Sequence, residues 1–192
     1  MLSSGLGSLK MVRSLFSSVL ALCFAMVMVW SPASAAHALG GPLPTLNQPA
    51  PEFLLPSNVG DRAISLKGYR GKWVVAYFYP KDFTSGCTLE AQRFQADLPK
   101  YLDKNTQILG ISVDSVDSHA EFCDSEGLKF PLLADENGAV SRAYGAWLAP
   151  MSLRNTYIID PNGVLRASFT AVRPVIHSAE VLKKLDELQQ VE

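Results

Sequence analysis

Residues 73–90, WVVAYFYPKDFTSGCTLE, limit what this chain can fold into more than any other stretch. Residues 73–79 are apolar or aromatic without a break, the pattern of a strand buried on both faces, and Pro80 ends it. After a short polar loop, Leu89, Phe94 and Leu98 recur at helical spacing, which predicts a helix over 85–102 with Cys87 in its first turn. The free backbone N–H groups and the positive end of a helix favour a thiolate there.

The residues around Cys87 narrow the chemistry. A disulfide-exchange site would have a second cysteine three positions away, but those positions hold Thr84 and Glu90. With no partner thiol in the same turn, the sulfur is set up to attack an oxygen electrophile and become a sulfenic acid. Thr84 can offer its hydroxyl to the sulfur or to the attacked oxygen, and Pro80 presents a rigid wall without an N–H. A buried structural cysteine is the plainer reading, and the glycine and polar loop before Cys87 weigh against it.

The segment from Pro80 to Glu90 resembles the active-site loop of the peroxiredoxins, above all the bacterioferritin-comigratory or peroxiredoxin Q subfamily. Pro80, Thr84 and Cys87 match the signature P-x-x-x-T-x-x-C, and the similarity runs from about residue 50 to 188. The resemblance implies a thioredoxin-like α/β fold with a central mixed sheet flanked by helices. It also implies a thiol-dependent peroxidase acting on hydrogen peroxide and small organic hydroperoxides, with Cys87 as the peroxidatic residue. Arg154, just before the strand-like T-Y-I-I-D, occupies the position of the arginine that points at the peroxidatic sulfur. There it would stabilise the thiolate and the charge developing on the peroxide oxygens. Glu90 is expected to orient it through a bidentate pair; an ordinary first-turn acid is the alternative.

In this subfamily the resolving cysteine often follows five residues after the first, where this chain has Gln92. Cys123, 36 residues beyond Cys87, resembles the arrangement that places it on the next helix, giving an intrachain disulfide recycled by a thioredoxin-like dithiol reductant. A one-cysteine enzyme, an intersubunit disulfide and a small apolar filler are the alternatives for this position. A thioredoxin-fold interaction or chaperone-like module that keeps the loop for structural reasons is the alternative function. Leu148 to Leu153 link Trp147 to Arg154 where the family has glycines, so the rim of the pocket departs from the family pattern.

The rest of the chain fits one α/β domain. Lys10 and Arg13 precede an apolar run at 15–30 and small residues at Ala33, Ala35, Ala36 and Ala38, the layout of a signal peptide at 1–38 cleaved after Ala35 or Ala38. This predicts export, to a periplasm or a thylakoid lumen, of a soluble mature domain at 39–192. A lipoprotein box at Cys23 is disfavoured by the bulky Leu22 before it. The whole-chain net charge of −1 becomes about −3 without the leader, and no basic patch suggests nucleic acid. Cys87 and Cys123 then remain as the only thiols, enough for one redox pair. The domain is expected to act as a monomer.

The proline-rich stretch at 40–56 predicts an extended surface arm, followed by short strands at 53–55 and 63–66. Beyond the Cys87 helix, the periodicities predict a strand at 106–113, a helix at 114–127, a short strand at 130–133 and a helix at 139–147 with Trp147 facing the core. A hairpin of 155–160 and 164–169 and a closing helix from Pro174 complete the pattern. No metal-ligand spacing or cofactor motif is present. His119 and His177 are isolated in sequence and are expected to be solvated or capping residues.

Overall fold

The computed structural model describes residues 40–60 and 63–190. The expected leader, with the cleavage sites expected after Ala35 or Ala38, lies outside them, as do Cys23 and His37. Among the described residues no helix is long and apolar enough to cross a membrane.

A five-stranded mixed sheet organises the domain. Strands β1 (Leu54–Leu55) and β2 (Ile64–Ser65) form a small antiparallel lead-in, followed by a 3-10 turn at Leu66–Tyr69. Then come β3 (Trp73–Phe78), α1 (Ser85–Asp103), β4 (Thr106–Ser112), α2 (Val116–Glu126), β5 (Leu132–Ala134) and α3 (Ala139–Ala143). A short hairpin, β6 (Trp147–Leu148) and β7 (Met151–Ser152), leads into β8 (Thr156–Ile159), β9 (Leu165–Phe169) and α4 (His177–Gln189). The sheet order is β5-β4-β3-β8-β9. The pairs β3/β4 and β4/β5 are parallel, whereas β8 runs antiparallel to both β3 and β9. This is the thioredoxin-like arrangement that the resemblance implies.

Strand β3 lies in the middle and divides the core by its own alternation. Trp73, Val75, Tyr77 and Tyr79 join one cluster with Phe94 and Tyr101 of α1, Phe122 of α2 and Leu185 of α4. Val74, Ala76 and Phe78 join another with Phe53, Leu66, Tyr144 and Tyr157. Both faces are therefore covered, which is why this strand reads as a continuous apolar run.

The proline-rich arm is exposed over residues 45–49 and bonds to the start of β9: Asn47 N–H donates to the Leu165 carbonyl at 2.7 Å, and Leu165 N–H donates back to Gln48 at 2.9 Å. Three expectations need correction. The helix expected over 139–147 stops at Ala143 because Gly145 adopts φ +61°, where an added Cβ would lie 2.5 Å from the Pro42 carbonyl oxygen. Trp147 consequently leaves the core and covers the Arg142 guanidinium, 4.5 Å from its ring centre. On α1, the buried stripe is Cys87, Glu90, Ala91, Phe94, Leu98 and Tyr101, so Glu90 faces inward while Leu89 is only partly buried.

Candidate active site

The end of β3 delivers the chain to the start of α1. Thr84 is the N-cap with extended backbone, and Thr88 N–H closing on the Thr84 carbonyl at 2.9 Å begins the helix. The N–H groups of residues 85–87 precede that bond and have no partner within the helix. Cys87 lies in this first turn, 1 % exposed, a buried thiol beside unspent backbone donors.

Arg154 reaches the sulfur from the segment between β7 and β8. Its Nη2 donates to Cys87 Sγ at 3.2 Å, and its Nη1 donates to Glu90 Oε2. The contact with Glu90 is single, not bidentate: Oε1 has no hydrogen-bond partner and lies 4.0 Å from His177 Nε2. The guanidinium is shared between carboxylate and sulfur, so one edge serves each. Burial opposes the charge on Arg154, but Glu90 and Cys87 outweigh it and keep the group firmly protonated. For Glu90 burial wins, lifting its carboxyl to about 7 against the pull of Arg154.

His177 is not solvated. It is the first residue of α4, is wholly buried, and its Nε2 lies 2.8 Å from the Thr156 hydroxyl. Its ring meets Phe94 and Phe169 edge-on, each at 5.6 Å between centres. Burial, reinforced by Arg154, lowers it to about 4, so the imidazole is neutral near pH 7. His119 is equally buried: its Nδ1 lies 2.9 Å from Asp82 Oδ2. Isolation in sequence says nothing about either ring because their partners come from other elements.

Thr84 and Pro80 flank the site differently. The Thr84 hydroxyl donates to the Lys81 carbonyl at 3.0 Å, so it braces the loop and is not bonded to the sulfur. Pro80 lines an open cleft of ≈ 470 Å³ together with Arg154, Leu148, Met151, Leu153 and Ala171. Leu148, Met151 and Leu153 supply its apolar wall. Cys123, on α2, belongs to the same core cluster as Cys87 and is unbonded. Burial, then the Asp82 carboxylate, pushes its thiol up to about 11. Among the described residues no group of three or more His, Cys, Asp or Glu side chains is placed to hold a metal ion.

Sequence reasoning missed Asp82, Tyr79 and the two histidines. One signal was available for the first of these: an aspartate four residues past the end of a doubly buried strand, close to core depth, needs partners if it is buried.

Fold and site together define a thioredoxin-like protein with one helix-start cysteine under an arginine, in place of a C-x-x-C pair. Residues 46–168 match the model of the AhpC/TSA family. The chain is 37% identical over 150 residues to the peroxiredoxin Bcp of Xanthomonas campestris pv. campestris, covering 73% of this chain and 93% of the relative. It is 40% identical over 159 residues to the mitochondrial thioredoxin-dependent peroxide reductase of Drosophila melanogaster, covering 77% and 68% respectively. The solved structure of the Xanthomonas campestris bacterioferritin comigratory protein superposes with a TM-score of 0.67 at 33% identity, covering 70% of this chain and 90% of that one. The chain belongs to the AhpC/TSA family, as a peroxiredoxin of the Bcp/peroxiredoxin Q subfamily.

Proposed function

We propose that the domain is a thiol peroxidase in which Cys87 reduces hydrogen peroxide or a small organic hydroperoxide. The Cys87 thiolate attacks the terminal peroxide oxygen, the O–O bond breaks, and the leaving hydroxide or alkoxide takes up a proton to leave as water or alcohol. Cys87 is left as the sulfenic acid. The observation that carries this reading is the Arg154 Nη2–Cys87 Sγ contact at 3.2 Å in a buried helix start. A guanidinium there stabilises the thiolate and the negative charge that grows on both oxygens, and the open N–H groups of 85–87 add donors on the same side. Glu90 keeps the guanidinium in place, Thr84 braces the loop, and Pro80 walls the approach. The Xanthomonas relative, whose structures concern alkyl peroxide reduction, supports a hydroperoxide as substrate.

In the second half of the cycle Cys123 resolves the sulfenic acid within the chain, and a thioredoxin-like dithiol protein reduces the disulfide. Two facts support this: both thiols belong to one core cluster, and serine mutants of the Xanthomonas peroxiredoxin Q have been solved for two cysteines 36 positions apart, the separation of Cys87 and Cys123. We further propose that the leader is removed on export by cleavage after Ala35 or Ala38, which N-terminal sequencing of the native protein tests by a start at Ala36 or Leu39. The purified domain should consume peroxide with a dithiol reductant. A Cys87→Ser variant that matches it would refute the peroxidase reading.

A further inference from the structure

The loop between β3 and α1 is pinned. Asp82, 2 % exposed, lies in it and accepts the Tyr79 hydroxyl on Oδ1 at 2.7 Å and the Ser118 hydroxyl on Oδ2 at 2.8 Å. His119 Nδ1 lies 2.9 Å from the same Oδ2, and since a carboxylate only accepts, that nitrogen carries the hydrogen. The Asp82 backbone N–H donates to Asp114 Oδ2 at 2.9 Å, an oxygen that also takes the Ser112 hydroxyl at 2.6 Å. Asp114, Ser118 and His119 belong to the turn and first turns of α2, the helix that carries Cys123. The next loop residue, Phe83, sits at φ +59°, a region bulky side chains avoid, with its ring edge-on to Phe122 of α2 at 5.1 Å. None of these contacts reaches the Cys87 sulfur, and the peroxide step uses none of them.

We propose that Asp82 is a positioning residue for the resolving step: its bonds to Ser118 and His119 latch the loop ahead of Cys87 onto α2, and Cys123 can meet Cys87 only when that latch opens. The proposal rests on Cys123 being the resolving thiol. A disulfide needs its Cα atoms within roughly 4.4–6.8 Å, and here both cysteines are unbonded in regular helices. On this reading the first turn of α1 comes away as they join, and because that turn is continuous with residues 82–84 the bonds of Asp82 break with it. Phe83, held against its backbone preference, relaxes in the same movement.

The latch also acts on the chemistry of the second thiol. Burial and then Asp82 hold the Cys123 thiol up, with Asp124 adding to them and Asn58 and Lys129 pulling the other way. Opening removes the Asp82 carboxylate and admits water, and both changes favour the attacking thiolate. The Cys123 sulfur then bonds to the Cys87 sulfur and displaces the sulfenic hydroxyl. That hydroxyl leaves as water with the thiol proton, and no further oxidant is consumed. The competing fate is a second peroxide, which transfers an oxygen to the sulfenic acid, gives sulfinic acid and departs as water or alcohol. Latch strength therefore sets how much peroxide the protein tolerates before it is over-oxidised.

Rapid-quench mass spectrometry of the full domain after one equivalent of hydrogen peroxide, followed by a peroxide titration, tests this. Asp82→Asn removes a charged acceptor and should resolve roughly tenfold faster, raising the dose for half-conversion to sulfinic acid by a similar factor. Ser118→Ala removes one bond at the seam and should shift both quantities in the same direction by less; it decides the matter if Asp82→Asn does not fold. The pH midpoint of resolution should fall in Asp82→Asn and stay put in Ser118→Ala, a distinction that a purely structural role would not produce. If the wild type forms the Cys87–Cys123 bond and both variants match its rate and dose, the latch is wrong while the resolving assignment stands. If the wild type forms no such bond, the assignment of Cys123 fails and the latch with it.

Discussion

Removing His177 should make the protein lose stability with rising pH, and removing Glu90 should do the reverse. The two groups face each other at 4.0 Å, both wholly buried, and burial moves them in opposite directions. Glu90 rises from its ordinary 4.5 to about 7. Between those values the folded chain holds a proton that the unfolded chain has released, so stability falls as pH rises, by about 1.4 kcal/mol per pH unit and roughly 3 kcal/mol in all. His177 falls from 6.5 to about 4. Between those values the unfolded chain binds a proton that the folded chain refuses, so stability rises with pH, again by roughly 3 kcal/mol. In the wild type the two slopes oppose each other over nearly the same window and the pair contributes almost no net pH dependence. His177→Asn leaves the Glu90 slope alone, so the variant should lose up to about 3 kcal/mol relative to wild type on going from pH 4.5 to 7. Glu90→Gln leaves the His177 slope and should gain a comparable amount between pH 4 and 6.5. Urea unfolding at five pH values, followed by tryptophan fluorescence, gives the two difference curves. Curves that run level, offset by a constant, would show that neither group changes protonation on folding and would refute the reasoning.

Three other measurements bear on the site and the core. Arg154→Ala should slow sulfenic acid formation about 10²-fold or more, and Arg154→Lys should recover only part of it because an ammonium cannot hold sulfur and carboxylate on separate edges; stopped-flow peroxide kinetics reads both. Cys123→Ser should leave the first peroxide turnover intact while abolishing turnover supported by a thioredoxin-like reductant, seen by comparing single- and multiple-turnover rates. Phe94→Ala, removing a fully buried ring that stacks on Tyr77 at 4.8 Å and meets His177, should cost about 3–5 kcal/mol in urea unfolding.

The linear chain by itself was enough for the central strand, the helix that starts at Cys87 and the α/β order around them, because those depend on local periodicity and on where proline interrupts it. Motif spacing also singled out Cys87, and the resemblance to the peroxiredoxins added Arg154, although the 3.2 Å contact that joins them spans 67 positions and needed the β3/β8 pairing to be made. Tertiary structure alone decided which polar groups are buried. Glu90 turned inward because the helix phase puts it below Cys87, and His177 and His119 went to the core because Thr156 and Asp82 wait there from other elements. The early end of α3 and the displacement of Trp147 were likewise decided by contact with a distant backbone at Pro42. Apolar periodicity records which face of an element is dry, whereas the partner of a buried charge is fixed by packing between segments far apart in sequence, and no local pattern carries that information.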